Sequence, residues 1–366
     1  MKKTLVSIIF FLLGIVIFAA CQTPQKQENQ KEIEVKEEKK FKIQFVHDTT
    51  AKSISVSIEG KPFTSYLYTD TLLKTVLFPL RTPLGTFITR GYPIAPRPFE
   101  YIDHPHHVGH WFSYGSVNEI DFWNNSFAIP QEEKMKYGII KHKKITKLVN
   151  SDTRGELEVE LDWVTYDSVT LLIENSLFSF GVLDSNTWYF DRTVRLYAPN
   201  GDVRLFDSKE GMFALRLAHE LEHPTQRPEF ALDKDGKPTS KPVIFNENVT
   251  GKYRNSNGIE GEEAWGKRAN WLKLTGKIGQ ENITIAMLNN KQNIAGVPFW
   301  HARGYGLFAV NNLGHRIFTE GKENYGYILT RDGTVTFRYR MIINSNTGLS
   351  DEMLNQQFES FSNSVN

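Results

Sequence analysis

From Phe41 onward the chain alternates apolar and polar residues with a period of two, which restricts it to strands with one buried face. Lys42-Ile43-Gln44-Phe45-Val46 alternates, and so does Ile54-Ser55-Val56-Ser57-Ile58, which stops at Gly60-Lys61-Pro62. Thr86 to Arg90, Leu157 to Val164, Trp188 to Leu196 and Thr334 to Ile343 read the same way, each bounded by Gly, Pro, Asn or Asp. Asn200-Gly201 and Asp332-Gly333 are candidate tight turns. A helical pattern stands only at the end, where Ser350 can cap a helix and Leu354, Phe358 and Phe361 recur at helical spacing. No fixed-period repeat is present. His219 to Asn257 is polar and Pro-rich and reads as a long excursion on one face. The expected fold is all-β, a large antiparallel β-sandwich with a short C-terminal helix. Aromatics at 13% suit such a core and suit a sugar-binding cleft equally.

The first twenty residues are not expected to join that fold. Lys2 and Lys3 form a charged start, Leu5 to Phe18 is mostly apolar, and the segment ends Phe18-Ala19-Ala20-Cys21. It resembles a bacterial lipoprotein signal peptide (1–20), in which Cys21 becomes the lipidated residue; the apolar part is short for a membrane span. Cys21 is the one cysteine of the chain, so internal disulfides and Cys-based metal sites are excluded. Gln22 to Lys40 is rich in Gln, Glu and Lys without an aromatic, which makes 21–40 a solvated, flexible tether and 41–366 a single β-sandwich catalytic domain. The expected location is the outer membrane, lipid-anchored through Cys21 and facing the periplasm or the cell surface. Gln22 does not resemble an inner-membrane retention signal, which usually has Asp there. The formal net charge of +1 becomes near neutral without Lys2 and Lys3. No basic stripe stands out, so a nucleic-acid partner is not expected.

The chemistry is concentrated in Asp103-His104-Pro105-His106-His107-Val108-Gly109-His110-Trp111, where four of the ten histidines fall within seven positions. Packing gives no reason to concentrate imidazoles; acid–base work, metal ligation and directed hydrogen bonding do. Pro105 and Gly109 argue for a shaped loop rather than a helix or a central strand. Taken as locally extended, His104 and His106 point to one side and His107 to the other. Asp103 can orient a neighbouring imidazole. The run has enough ligands for a divalent metal such as zinc but no standard zinc spacing, so metal ligation and acid–base work both stay open.

A second constellation is Trp300-His301-Ala302-Arg303-Gly304-Tyr305. On a strand, His301, Arg303 and Tyr305 share a face that offers an imidazole to move a proton, a guanidinium to pin a carboxylate and a phenol to donate. Trp300 offers a stacking surface. Arg90, at the end of Gly85-Thr86-Phe87-Ile88-Thr89-Arg90, is a further carboxylate clamp if the fold brings it to the histidine loop. His219-Glu220-Leu221-Glu222-His223 matches the H-E-x-x-H pattern of zinc proteases. A strand-like Met212 to Leu217 before it and Pro224 after it leave room for only one helical turn, a poor scaffold for that chemistry.

Phe78-Pro79-Leu80, Thr89-Arg90, the Asp103 to His107 run, Val117-Asn118, Asp121-Phe122-Trp123 and Trp300 to Phe308 together resemble the PmoA-like family of secreted Bacteroidota proteins. The resemblance spans about Phe41 to Ile343. Its historical name suggests methane oxidation, which the lack of any further apolar span speaks against. What the resemblance implies is carbohydrate breakdown within polysaccharide-utilisation systems, including dehydration of uronic-acid ends of ulvan-type oligosaccharides. Eliminating water across C4 and C5 of a uronate needs a base, a carboxylate clamp and an acid. On that reading His106, His107, His301 and Tyr305 are the catalytic candidates. Arg90, His104, His110, Trp111, Trp300 and Arg303 are expected to bind an oligosaccharide substrate. The alternatives are a glycoside hydrolase, with Asp103, Glu119 and Asp121 as carboxyl candidates, and a non-catalytic glycan-binding lipoprotein.

Overall fold

The alternating segments become strands in a computed structural model of the chain, which describes residues 40–364. The expected leader, the lipidated Cys21 and all of the tether but Lys40 lie outside the described residues. The strands are β1 (Ile43–Asp48), β2 (Ser53–Ile58), β3 (Lys61–Leu67), β4 (Val76–Leu77), β5 (His110–Tyr114), β6 (Gly138–Val149), β7 (Arg154–Thr165), β8 (Thr170–Asp184) and β9 (Thr187–Tyr197). They continue with β10 (Val203–Leu205), β11 (Gly211–Arg216), β12 (Lys252–Asn255), β13 (Trp271–Ile278), β14 (Glu281–Asn289), β15 (Phe299–Arg303), β16 (Leu307–Asn311), β17 (Tyr327–Leu329) and β18 (Thr334–Ser345). One eight-stranded sheet runs β1-β2-β3-β4-β5-β11-β16-β15 and the other β12-β13-β14-β18-β9-β8-β7-β6, while β10 and β17 form a separate ribbon. Neighbouring strands are antiparallel throughout. The all-β sandwich read from the sequence is therefore the fold.

Pleating explains which residues enter the core. Along β7, Leu157, Val159, Leu161 and Trp163 turn inward and are fully buried. The intervening acids face outward, where Lys143 meets Glu160 at 2.9 Å from the neighbouring β6. Inward-facing side chains of both sheets, among them Phe112, Phe213, Phe190 and Tyr339, merge into one large core. The helix α1 (His315–Phe318) is a single turn. The helix α2 (Asp351–Asn363) is the one expected: Ser350 Oγ accepts from the Met353 N–H at 3.1 Å, a cap that contributes about 1 kcal/mol. Leu354, Phe358 and Phe361 seat α2 on Trp271, Leu288 and Ile342, the outer face of the second sheet. Among the described residues no helix is long and apolar enough to cross a membrane.

The first sheet's outer face carries a separate cluster, in which Trp111, Trp123, Val108 and Phe78 lie against Ala214, Leu307 and Ala309. This cluster is the floor beneath the histidine loop. Thr86 to Arg90 departs from the expected strand. It pairs one residue at a time, Phe87 with Arg81 and Thr89 with Leu217, because Ile88 is drawn to Leu80 and Arg90 to Arg216 through their N–H groups. The polar stretch after His219 is a long excursion as read, starting in a 3-10 turn at His219–Leu221 and ending in β12.

Candidate active site

Three pieces of backbone meet at one end of the first sheet: the loop before β5, the end of β11, and the turn between β15 and β16. Their register follows from His110 opposite Leu215 and Arg216 opposite Leu307. Gly109 makes the junction possible. Its φ is +54°, and a Cβ there would lie 2.4 Å from the Leu77 carbonyl oxygen, so a side chain is excluded on both counts. The Arg216 N–H then donates to the Gly109 carbonyl at 2.9 Å.

The histidine loop is not extended. The His107 N–H donates to the His104 carbonyl at 2.9 Å and closes a turn with Pro105 in its second position, where proline is favoured. His104 and His107 are thereby brought side by side, with parallel rings 4.8 Å apart, instead of on opposite sides.

Two buried arginines hold this turn. Arg90 Nη1 donates to the carbonyls of Tyr101 (3.1 Å) and Asp103 (2.9 Å) and to Asp103 Oδ1 (2.6 Å), while Nη2 donates to the carbonyls of His104 (2.9 Å) and His107 (3.2 Å). Arg216 donates to both Asp103 oxygens, at 2.8 and 3.2 Å, and to His107 Nδ1 at 3.3 Å. Burial acts to raise the Asp103 pKa, but Arg216 and Arg90 outweigh it and hold the carboxyl well below the usual carboxylate range. Burial likewise acts to lower the Arg216 pKa, and Asp103 and Glu222 more than offset it.

Above this ionic base opens a cleft of about 460 Å³, lined by Tyr101, Asp103, His104, Glu222, His223, Glu262, Arg303 and Tyr305. His104 bonds Asp103 Oδ2 through Nδ1; its side chain is 39% exposed, and Nε2 has no partner among the described residues. The Tyr305 ring lies parallel to the His104 imidazole at 4.9 Å, with the Arg216 guanidinium 5.0 Å from its centre. Burial raises the Tyr305 phenol to about 12, so it carries its proton. The Arg303 guanidinium lies 5.2 Å from the Trp265 ring centre and makes no hydrogen bond or ion pair to any described residue. Glu222 is buried, pairs with His219 at 3.1 Å and approaches Arg216 at 3.5 Å; burial raises its pKa.

Of the residues anticipated from sequence, Asp103, His104, Arg303 and Tyr305 reach the cleft. Arg90 does not act as a carboxylate clamp: it is 1% exposed and spends both terminal nitrogens on the loop. His106 faces a smaller hollow beside Lys74, where burial and the neighbouring cations push it down to about 2. His107 is 2% exposed beneath His104, 5.3 Å from Trp111, which is itself fully buried in the floor.

His110 lies on the opposite face of β5, inside the sandwich. Its Nδ1–H donates to the Ala214 carbonyl at 2.8 Å, and its Nε2 accepts from Arg192 at 3.4 Å. Arg192 in turn pairs with the buried Glu174 at 2.9 Å. Pleating divides the second constellation too. Trp300 and Ala302 face the inter-sheet core, with Trp300 Nε1 donating to the Ala269 carbonyl at 2.9 Å, so Trp300 is no stacking surface. His301 shares the outer side with Arg303 but is 3% exposed, pinned at 3.1 Å to the Lys209 carbonyl, and pushed down to about 3 by burial and Lys209.

The H-E-x-x-H match does not form a ligand pair. His219 bonds Glu222, and His223 Nε2 accepts from the Tyr253 N–H at 3.2 Å. Among the described residues no three His, Cys, Asp or Glu side chains converge as a metal would require. Of the hydrolase carboxyl candidates, Asp121 caps the N–H groups of Trp123 and Asn124, and Asp103 is locked between arginines. Sequence reasoning passed over Arg216 and Glu262, and met Glu222 and His223 only as parts of the H-E-x-x-H match. A lone arginine inside the apolar run Met212 to Leu217 was the available signal, because a buried charge needs a partner.

The fold and the cleft define an antiparallel β-sandwich protein with an imidazole, a phenol and an unpaired guanidinium gathered at one sheet end. The chain belongs to DUF6807, a family of unknown function, whose model matches residues 53–359. No curated protein matches it. Among solved structures it is similar to heparan sulfate lyase HepC from Pedobacter heparinus, with 10% identity, a TM-score of 0.34, and coverage of 85% of this chain and 36% of that one. It is also similar to a beta-arabinopyranosidase, with 11% identity, a TM-score of 0.28 and coverage of 84% and 38%. A variant of a Glycoside Hydrolase Family 97 enzyme from Pseudoalteromonas sp. strain K8 gives 8% identity, a TM-score of 0.30 and coverage of 85% and 35%. The chain spans about a third of the length of the solved structures it matches.

Proposed function

We propose that this protein is a carbon–oxygen lyase that removes water from the terminal uronic acid of an oligosaccharide, leaving a 4,5-unsaturated uronate. One juxtaposition carries the reading: an Asp103-oriented imidazole with a free Nε2 stands beside a protonated phenol and an unpaired guanidinium in one cleft. His104 Nε2 takes the C5 proton, a task for which the Asp103 carboxylate fixes the tautomer and the ring orientation. Arg303 holds the substrate carboxylate and stabilises the negative charge that grows on it as C5–H breaks. The C5 electron pair forms the C4–C5 double bond, and the 4-hydroxyl leaves as water with the Tyr305 proton. Proton return from His104 to Tyr305 through solvent resets the site. The base is thus assigned to His104, since His106, His107 and His301 do not open into this cleft.

The reading extends to an exported, Cys21-anchored protein of the outer membrane that acts on ulvan-type polysaccharide fragments. The test is incubation with uronate-terminated oligosaccharides followed by mass spectrometry. Loss of one water without chain shortening, with ultraviolet absorbance of the unsaturated product, is the expected result. New reducing ends would instead support a glycoside hydrolase, and unchanged mass with retained affinity a glycan-binding protein.

A further inference from the structure

We infer that Glu262 and His223 form a second sugar subsite beside the uronate position, one that takes a neighbouring residue with free hydroxyls and turns away a sulfated one. The inference rests on the uronate reading above and names the substrate within it. Glu262 lies on the short 3-10 turn Gly261–Ala264 and brings a carboxylate oxygen hard against Gly304; a Cβ on that glycine would sit 2.2 Å from it. Gly304 is flanked in sequence by Arg303 and Tyr305, so the carboxylate stands next to the groups assigned to the uronate. Neither Glu262 oxygen takes a hydrogen bond or ion pair from a described residue.

His223 is fixed on the same wall, its N–H donating to the Gly304 carbonyl at 2.8 Å. Its ring packs 4.8 Å from Tyr253, and its Nε2 accepts from the Tyr253 N–H, which leaves the ring proton on Nδ1. Burial pushes the His223 pKa down more than nearby Glu262 raises it, and with Nε2 accepting, Nδ1–H is a donor without a partner among the described residues. The wall therefore offers a carboxylate acceptor and a neutral donor. Adjacent hydroxyls of a sugar ring satisfy both at once. A sulfate ester has only acceptors and sets a second anion against Glu262. The remaining cations do not reverse this: Arg303 is committed to the uronate, and Arg227 is paired with Glu229 at 3.0 Å. Sulfate removal would then precede this step on a sulfated chain.

Calorimetric titration tests this with two disaccharides, a terminal uronate joined to a neutral hexose and the same molecule sulfated on the hexose. Titration into full-length His104→Gln protein avoids turnover. The neutral disaccharide should bind at least about tenfold more tightly, equivalent to about 1.4 kcal/mol, and adding Glu262→Gln should shrink the gap to about threefold or less. Equal or tighter binding of the sulfated compound, or an unchanged gap after Glu262→Gln, overturns the subsite. Failure of both disaccharides to bind overturns the subsite and the uronate reading together. The expected binding gap without water loss by the wild-type protein upholds the subsite and removes only the dehydratase assignment.

Discussion

Arg216 grips Asp103 with two parallel bonds, Nη2 to Oδ1 at 2.8 Å and Nη1 to Oδ2 at 3.2 Å, from a side chain with no solvent exposure. Arg90 binds the same carboxylate from the other side at 2.6 Å. One carboxylate thus pairs with two buried guanidinium groups, of which that of Arg216 also approaches Glu222 at 3.5 Å, and it orients His104 as well. Removing the carboxylate should be costly, because buried Arg90 would lose its ion pair and buried Arg216 its hydrogen-bonded one. Asp103→Ala is expected to lower folding stability by about 3–5 kcal/mol, readable as a fall in the urea midpoint. A midpoint equal to wild type would mean that the arginines find other partners.

Acid should weaken the fold before it reaches the carboxylates. Burial holds the pKa of His107, His110 and His301 below the ordinary histidine value of 6.5, with His301 at about 3. The folded chain keeps these rings neutral while the unfolded chain protonates them, so their contribution is complete above pH 6.5 and declines as pH falls below it. The depressed Asp103 acts lower, with a contribution lost as pH drops beneath the usual carboxylate range. Urea midpoints at pH 7.5, 6 and 5 should fall progressively; constant midpoints would contradict the neutral assignment.

The Arg303 guanidinium makes no ion pair with any described residue and is assigned to the substrate carboxylate. Arg303→Gln should reduce kcat/KM on uronate oligosaccharides by roughly 100-fold, the scale of losing one preorganised charge donor. Arg303→Lys should recover only part of that, since an ammonium lacks the planar fork. Initial rates across substrate concentration decide this, and an unaffected Arg303→Gln would relocate the clamp.

Tyr305 holds its proton because burial raises it to about 12. Tyr305→Phe keeps the ring against His104 and deletes only the donor. It should lower kcat by about 100-fold or more with little change in KM, as general-acid loss does. A change confined to KM would recast the phenol as a binding group.

The strand pattern was legible because side chains alternate between faces: Leu157 to Trp163 are buried in alternation, and Thr334 to Ile343 alternate between the core and the outer face that α2 covers. The capped helix from Ser350 was equally readable. The site was legible in outline, since the two chosen segments do adjoin through the stacking of His104 on Tyr305. What could not be read was which side of the sheet each residue takes. His110 and Trp111, or Trp300 and His301, are neighbours in sequence and lie on opposite faces. The extended reading of the histidine run failed because one turn, closed by His107 onto His104, overrode alternation. Glu262 had no local signal at all, since only the packing of its turn against Gly304 brings it to the cleft.

The most direct measurement compares His104→Gln with His301→Gln for water loss from a uronate-terminated oligosaccharide, followed by mass spectrometry. His104 opens to the cleft and His301 is sealed against Lys209. The account predicts that His104→Gln abolishes the loss of water while a folded His301→Gln retains most of it. Sustained water loss by His104→Gln, with none from a folded His301→Gln, would contradict it.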